Sequence, residues 1–199
     1  PLSWFLMAYF DSEDNVRSYE QLAQSVDSSA LRGEFLRRVP IGGRVLELGM
    51  GPGYDLDALA ASGLRMLGSD GSAVFVRRYR ERGGTEEVVV LDATDIGCAG
   101  GFDAVYSNKV LQHLTREDFA HSLERQGQLL EPGGLLFHSL WRGDRTEEHH
   151  GMLFTYWDVE RLVGHLPEGL ELEASGRYCE IWDEDSVWVA LRKASLTSS

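Results

Sequence analysis

Three carboxylates stand where short apolar runs end. Glu47 lies in Arg44 to Gly49 (RVLELG), Asp70 follows Leu64 to Ser69 (LRMLGS), and Asp92 follows Glu87 to Leu91 (EVVVL). The first run passes directly into Gly49-Met50-Gly51-Pro52-Gly53, a glycine-rich turn leading into a helix, whose amino end offers free backbone N–H groups and lets a ligand approach the main chain. Dinucleotide-binding folds use a similar turn, but a fingerprint beginning at Gly49 requires Gly or Ala at position 54 for close packing of helix on strand. That position is Tyr54. Three acids beside a bare glycine turn repel a pyrophosphate. They suit a ligand with an ammonium, a ribose diol, an adenine amino group and a positive sulfonium. Glu47 is the most telling of the three, because an ionised carboxylate inside an apolar strand is costly without a partner. Each acid keeps a plainer alternative, since a strand-tip Asp is often a helix cap and the glycines could serve only a tight turn.

The elements that must hold these residues alternate along the chain. Besides the three runs above, Phe102 to Ser107 (FDAVYS) and Leu135 to Leu140 read as buried strands. Helices are predicted over Tyr54 to Ser62, Ser72 to Arg82 with Ser72 as cap, and Thr115 to Leu130, where Thr115 and Asp118 have capping-box spacing and Glu131-Pro132-Gly133-Gly134 makes the stop. After a polar loop, Asp158 is expected to cap a helix through Val163. Leu170 to Cys179 and Ser186 to Arg192 form a closing strand pair across the acidic turn around Asp183 to Asp185. One or two helices fall within Asp11 to Val39. This order implies an α/β fold: a Rossmann-like doubly wound sheet, mostly parallel with an antiparallel last strand, and N-terminal helices covering the cleft. Ligands in such sheets bind beyond the carboxyl ends of the strands, where the acids lie.

The ordered segments VLELGMGPGYD, SDGS, LDATDI, FDAVYSNKVLQHL and LLEPGGLLFHSLW, from about Arg44 to Trp141, resemble the successive motifs of the class I methyltransferases that use S-adenosylmethionine. The resemblance implies that Gly49, Gly51 and Gly53 lie against the methionine portion, with Glu47 close to its amino group. It implies that Asp70, followed by Gly71, holds the ribose hydroxyls, that Asp92 and the Ala93 N–H meet the adenine, and that the Asn108 carbonyl helps hold the ammonium. Tyr19, in the first helix, is a further candidate for the methionine carboxylate. The product would be S-adenosylhomocysteine and the acceptor a small molecule with an O or N nucleophile.

The chemistry so implied is in-line displacement at a methyl carbon, to which the protein contributes position, desolvation and, where needed, a proton acceptor. His113 is the leading base, since Asn108 to Leu114 follows the fourth strand and should border the methyl group. A histidine that only hydrogen-bonds the backbone at a helix start is the competing reading. His138 and Tyr156 are reserve bases, and a carboxylate acceptor needs none. His149 and His150 after Glu147 and Glu148 invite a metal, but adjacent side chains diverge and no complementary spacing appears, so a solvated loop and no metal are expected. Trp4, Phe5, Tyr9, Phe10, Trp141, Phe154, Tyr156 and Trp157 could form a lid favouring an aromatic or apolar acceptor.

Composition bounds the rest. The 199 residues suit one domain, with 1–40 a helical cap, 41–141 the cofactor-binding core and 142–199 the substrate-side loop, helix and strand pair. Nineteen basic against 32 acidic residues leave a net charge of −13, which argues against nucleic acid or an anionic membrane as partner. Arg77, Arg78, Arg80 and Arg82 read as a solvated helix face. Two separated cysteines, no span-length apolar run and an opening segment without a basic leader point to the cytoplasm. Two further readings stand beside methyl transfer: a relative that keeps the pocket but catalyses another reaction, such as a cyclisation, and a non-catalytic binding module that acts through a protein partner. The sequence leaves the oligomeric state open.

Overall fold

The computed structural model describes residues 9–149 and 151–195. Its main sheet has seven strands in the order β3-β2-β1-β4-β5-β9-β8. β1 (Arg44–Leu48), β2 (Arg65–Asp70), β3 (Glu87–Val90), β4 (Phe102–Asn108) and β5 (Leu130–Trp141) run parallel. β9 (Ser186–Lys193) pairs antiparallel with both β5 and β8 (Leu170–Tyr178). Sheet order reverses between β1 and β4, so the crevice at their carboxyl ends is the expected binding place.

The central strands are apolar on both sides because both are covered. Leu46, Val105 and Leu136 face α5 (Arg116–Leu129) through Phe119 and Leu123. Val45, Ala104, Tyr106 and Phe137 face α2 (Ser29–Leu36) through Phe35 and α3 (Tyr54–Ala61) through Leu56 and Leu59. Local caps fix where helices begin. The Ser72 hydroxyl accepts from the N–H groups of Val74 and Phe75 at the start of α4 (Ala73–Glu81), and Thr115 accepts from Asp118 N–H while donating to its carboxylate.

Four local expectations need correction. β5 begins at Leu130, and the Pro-Gly-Gly stretch makes an irregularity in its pairing with β4 rather than a break before the strand. The loop after β5 contains a hairpin, β6 (Thr146–His149) paired with β7 (Met152–Thr155). Asp158 occupies the N-cap position of α6 (Val159–Val163), but its side chain makes no capping bond and lies 3.8 Å from Arg142. Finally, the arginines of α4 are not merely solvated. Arg78 forms two bonds of 2.8 and 2.5 Å with Glu20 of α1 (Glu13–Ala23), Arg77 pairs with Glu13, and Arg82 donates to the Pro52 carbonyl at 2.9 Å. These bonds, with Val16, Val74 and Phe75 packed together, dock the N-terminal helix beside the ends of β1 and β2.

No helix among the described residues is long and apolar enough to cross a membrane.

Candidate active site

A cleft of about 940 Å³, including its space open to solvent, lies at the carboxyl ends of the strands. Gly49, Gly51, Asp70, Gly71, Asp92, Ala93, Asn108, Tyr19 and His113 all line it. Glu47 and Gly53 do not. Gly53 adopts φ +82 at the start of α3, and a Cβ there would strike the Tyr79 ring on α4, so its bareness serves helix packing. Gly49, at φ +66, has no room for a Cβ because the side chain of Val110 fills that space. The glycine turn and the segment after β4 therefore fit together as one surface.

Asp70 holds the turn as well as facing the cleft. Its two oxygens accept from Gly51 N–H at 2.9 Å and Ser72 N–H at 2.8 Å. Burial pushes its carboxyl up to about 6, against the lowering effect of those two donors. Asp92 accepts from both the N–H and the hydroxyl of Thr94 through one oxygen, at 2.8 Å each. Its other oxygen makes no hydrogen bond among the described residues. Neither is itself a helix cap, since Ser72 caps the helix after β2 and no helix follows Asp92, and acceptor capacity remains at each.

Glu47 is 3% exposed and its Oε2 has no hydrogen-bond partner among the described residues. Burial first, then the charges of Asp55, Asp70 and Asp57, pushes its carboxyl well above the usual range, with Arg32 opposing. Beneath it runs a polar network absent from the sequence reading. Asp55, at the start of α3, accepts from Arg32 at 2.5 Å, from the Tyr106 hydroxyl at 2.9 Å and from the Asn108 amide at 3.0 Å. The Asn108 side chain is fully occupied there, since it also donates to Ser28 and accepts from Ser139. Only its main chain is left for a ligand.

Tyr19 leans over Gly51, with the ring 3.6 Å from where a Cβ would stand, and packs edge-on to Phe10 and Phe75. Burial of its hydroxyl, then the charges of Asp70, Glu180 and Asp55, pushes it up to about 12, so it is a neutral donor.

The opposite wall carries His113 on a single 3-10 turn, Leu111–His113. Its Nδ1 lies 2.8 Å from the Leu153 carbonyl on β7, and its ring meets Phe154 edge-on with centroids 4.7 Å apart. A carbonyl only accepts, so Nδ1 carries the proton and Nε2 the lone pair. Burial pushes the imidazole down to about 4, against the raising effect of the Leu153 bond. The partner is backbone, as the plainer reading held, but it comes from a hairpin 40 residues on. His138 is fully buried beside Ser107 and Tyr156 donates to Glu147; neither lines the cleft.

Lys109, overlooked in the sequence, lines the cleft between Asn108 and Val110 with a left-handed backbone, φ +58. Only its position beside Asn108 could have flagged it. Of the aromatic residues expected above the cleft, Phe10 lines it and Phe154 backs His113, whereas Trp157 is core, packed at a tilt against Phe119. Trp4, Phe5 and His150 lie outside the described residues. His149 sits 3.3 Å from Glu147, and among the described residues no group of His, Cys, Asp and Glu could hold a metal.

The donor set fits a cationic nucleoside. Asp70 and Asp92 keep free acceptor capacity, the bare turn at Gly49 and Gly51 lets a ligand lie on the main chain, and the orphaned carboxyl of Glu47 lies at the same strand end, outside the lining residues. Comparison with known proteins agrees. Over 133 residues the chain is 32% identical to an uncharacterized 37.1 kDa protein in transposon TN4556 of Streptomyces fradiae, a match covering 62% of this chain and only 38% of that protein's length. Its fold is similar to that of a Burkholderia thailandensis 1,6-didemethyltoxoflavin-N1-methyltransferase solved with 1,6-didemethyltoxoflavin and S-adenosylhomocysteine. The TM-score is 0.74 at 19% identity, covering 98% of this chain and 87% of that one. It is also similar to the [4+2]-cyclase SpnF, with TM-score 0.67 at 16% identity, over 83% of this chain and 80% of that one. Residues 17–175 match the methyltransferase-domain family model, most of the chain, and the chain belongs to that family, the class I methyltransferases that use S-adenosylmethionine and release S-adenosylhomocysteine.

Proposed function

We propose that the protein, acting as one domain over residues 1–199, transfers the methyl group of S-adenosylmethionine to an O or N nucleophile of a small, apolar or aromatic acceptor. The observation that carries this is a single cleft whose one wall is a glycine turn with strand-tip acids and whose other wall is Val110, Leu114 and a histidine with a fixed tautomer. Asp70 would hold the ribose diol, Asp92 and Ala93 the adenine, Glu47 and the Asn108 main chain the ammonium, and Tyr19 the methionine carboxylate, over Gly49 and Gly51. The cofactor bound there supplies an electrophilic methyl carbon on a sulfonium.

The chain's own residues do the remainder. Phe10, Val110 and Leu114 exclude water from the apolar side of the cleft, so the nucleophile meets the methyl carbon desolvated. His113 takes the proton that the acceptor loses as the new bond to carbon forms and the bond to sulfur breaks. For a hydroxyl acceptor that proton becomes strongly acidic once the oxygen lone pair is shared, so a base held near pKa 4 still accepts it at Nε2, whereas an amine must attack in its neutral form and its product keeps the proton until it reaches water. The Leu153 carbonyl keeps that nitrogen unprotonated and aimed.

A net charge of −13 supports a partner that is neither nucleic acid nor membrane, and two free cysteines support a cytoplasmic setting. The deciding experiment is conversion of S-adenosylmethionine to S-adenosylhomocysteine by the purified protein with a panel of phenols and amines. Conversion that depends on one of them supports methyl transfer. The likeness to a cyclase favours a second reading, in which the same pocket serves a non-methylating reaction; the cofactor would then be held and returned unchanged. A non-catalytic module acting through a protein partner gives the same return with no product at all.

A further inference from the structure

Lys109 occupies an unusual place for a charged side chain. It follows the last residue of β4, and its N–H donates at 3.1 Å to the Ser139 carbonyl and hydroxyl, which fixes the left-handed backbone. The side chain is 10% exposed. Its Nζ donates to the Ser186 hydroxyl at 2.6 Å, lies 3.0 Å from Glu180 Oε2 and stands 3.2 Å from the centre of the Trp141 ring. An ammonium has three protons, and the hydroxyl, the carboxylate and the aromatic face account for all three. All three are thus directed at the protein rather than at an acceptor, while burial, opposed by the Glu180 and Asp185 charges, lowers the group to about 8.

What these bonds hold is the turn between β8 and β9. The turn is already tied to itself, because Asp185 accepts from the N–H groups of Glu180, Ile181 and Trp182 at 2.9 Å each and from the Ser186 hydroxyl at 2.7 Å. It moves as a unit. The Tyr178 hydroxyl steadies Glu180 at 3.2 Å, and the Glu180 charge reaches the Tyr19 hydroxyl on the cleft's other rim. On its outer side the turn shows Ile181 and Trp182, 59% and 69% exposed. A buried ion pair is weak evidence for stability, and its best-attested use is to fix one arrangement among several.

We infer that Lys109 is a positioning residue: by clamping Glu180 and Ser186 over Trp141 it pins the β8–β9 turn, which lies outside the cleft lining, beside the end of β4 and so holds its own segment, Lys109 and Val110, in place on the acceptor half of the cleft. The assignment of that half to the acceptor rests on the methyl-transfer reading. The clamp itself does not.

The test uses the full chain and its Lys109→Met, Lys109→Arg and Glu180→Gln variants, with S-adenosylhomocysteine as the cofactor probe. Hydrogen exchange of residues 179–185 should quicken at least tenfold in Lys109→Met and Glu180→Gln and return to within about threefold of wild type in Lys109→Arg. Calorimetry should give the same S-adenosylhomocysteine affinity in all four proteins within about threefold. With catechol, 4-hydroxybenzoate and tryptamine as acceptors, the acceptor KM should rise about tenfold in Lys109→Met with kcat within about threefold. Unchanged exchange in Lys109→Met overturns the clamp, and so does failure of Lys109→Arg to restore it. Weakened S-adenosylhomocysteine binding moves the residue to the cofactor half and overturns the assignment to the acceptor. If the wild type binds S-adenosylhomocysteine yet turns over none of the acceptors, methyl transfer fails for them while exchange still decides the clamp. A circular dichroism melt accompanies each variant; should Lys109→Met not fold, Glu180→Gln carries the same exchange test.

Discussion

The two walls of the cleft are built by different means. On the proposed cofactor side, the groups facing the cleft are strand-tip carboxylates and bare backbone, fixed by bonds between residues near the same strand ends, such as Asp70 to Gly51 and Ser72 or Asp92 to Thr94. On the acceptor side, each functional side chain is fixed by something far along the chain: His113 by Leu153, Lys109 by Glu180 and Ser186. The first wall is part of the sheet and shares its rigidity. The second is the segment after β4, held from behind by the β6–β7 hairpin at His113 and by the β8–β9 turn at Lys109. A fold built this way can keep one ligand while its other specificity varies.

Four experiments can break or sharpen that division. The largest effect is expected from His113→Ala, which should lower turnover by about 10²–10⁴ while leaving S-adenosylhomocysteine affinity unchanged, because a general base acts on the transition state. Kinetics must be paired with a melt, since the mutation also removes the bond to Leu153. A fall of less than about tenfold would make the histidine a tether for the β6–β7 hairpin.

Next comes Asp70→Ala, expected to cost about 1.5–3 kcal/mol of cofactor affinity, with Asp92→Ala costing less. Since Asp70 also receives two backbone N–H groups, the variant should melt lower while remaining folded. Titration calorimetry with S-adenosylhomocysteine decides the point, and an unaltered affinity reduces Asp70 to a brace of the glycine turn.

The third is a pH series on the unmodified protein. Asp70 in the ligand-free fold has its pKa raised from 3.8 to about 6. The folded value lies above the unfolded one, so this group's contribution to stability is fully present below about pH 4 and lost as pH rises through 6. Diol binding needs the ionised form, so S-adenosylhomocysteine affinity should fall about tenfold per unit as the pH drops below 6. An acid limb of turnover from His113 belongs near pH 4, two units lower. A single limb near 6 in both binding and turnover assigns control to the cofactor wall alone.

The smallest effect concerns the N-terminal helix. Glu20→Gln should lower stability by only about 0.5–1 kcal/mol, since its pair with Arg78 is partly exposed, and raised salt should reduce the difference. Thermal melts at low and high ionic strength measure it.

The legible part of this molecule was the part with local rules. Glycines at a turn, acids at strand tips and caps such as Ser72 and Thr115 act over a few residues, and the strand runs follow from burial on two faces. The β6–β7 hairpin was missed because Thr146 to His149 is polar and its partner strand half-buried, which leaves no clear alternation. β5 begins earlier than Pro-Gly-Gly predicts, because that stretch sits at an irregular pairing with β4 and does not stop the strand. Asp55 carries no local signal, and Lys109 only its place beside Asn108. What makes them informative is a partner tens of residues away, and no spacing rule reaches that far.

Glu47 has one more consequence. Burial and the neighbouring acids favour the protonated form of this carboxyl, and in the proposed function an ammonium arriving there competes with that proton for the same oxygens. Binding then becomes an exchange in which a cation enters and a proton leaves for the solvent. The heat of such a reaction includes the buffer's own uptake of that proton. Cofactor binding measured in phosphate and in Tris should therefore differ in enthalpy while agreeing in affinity, and the size of the difference counts the protons displaced.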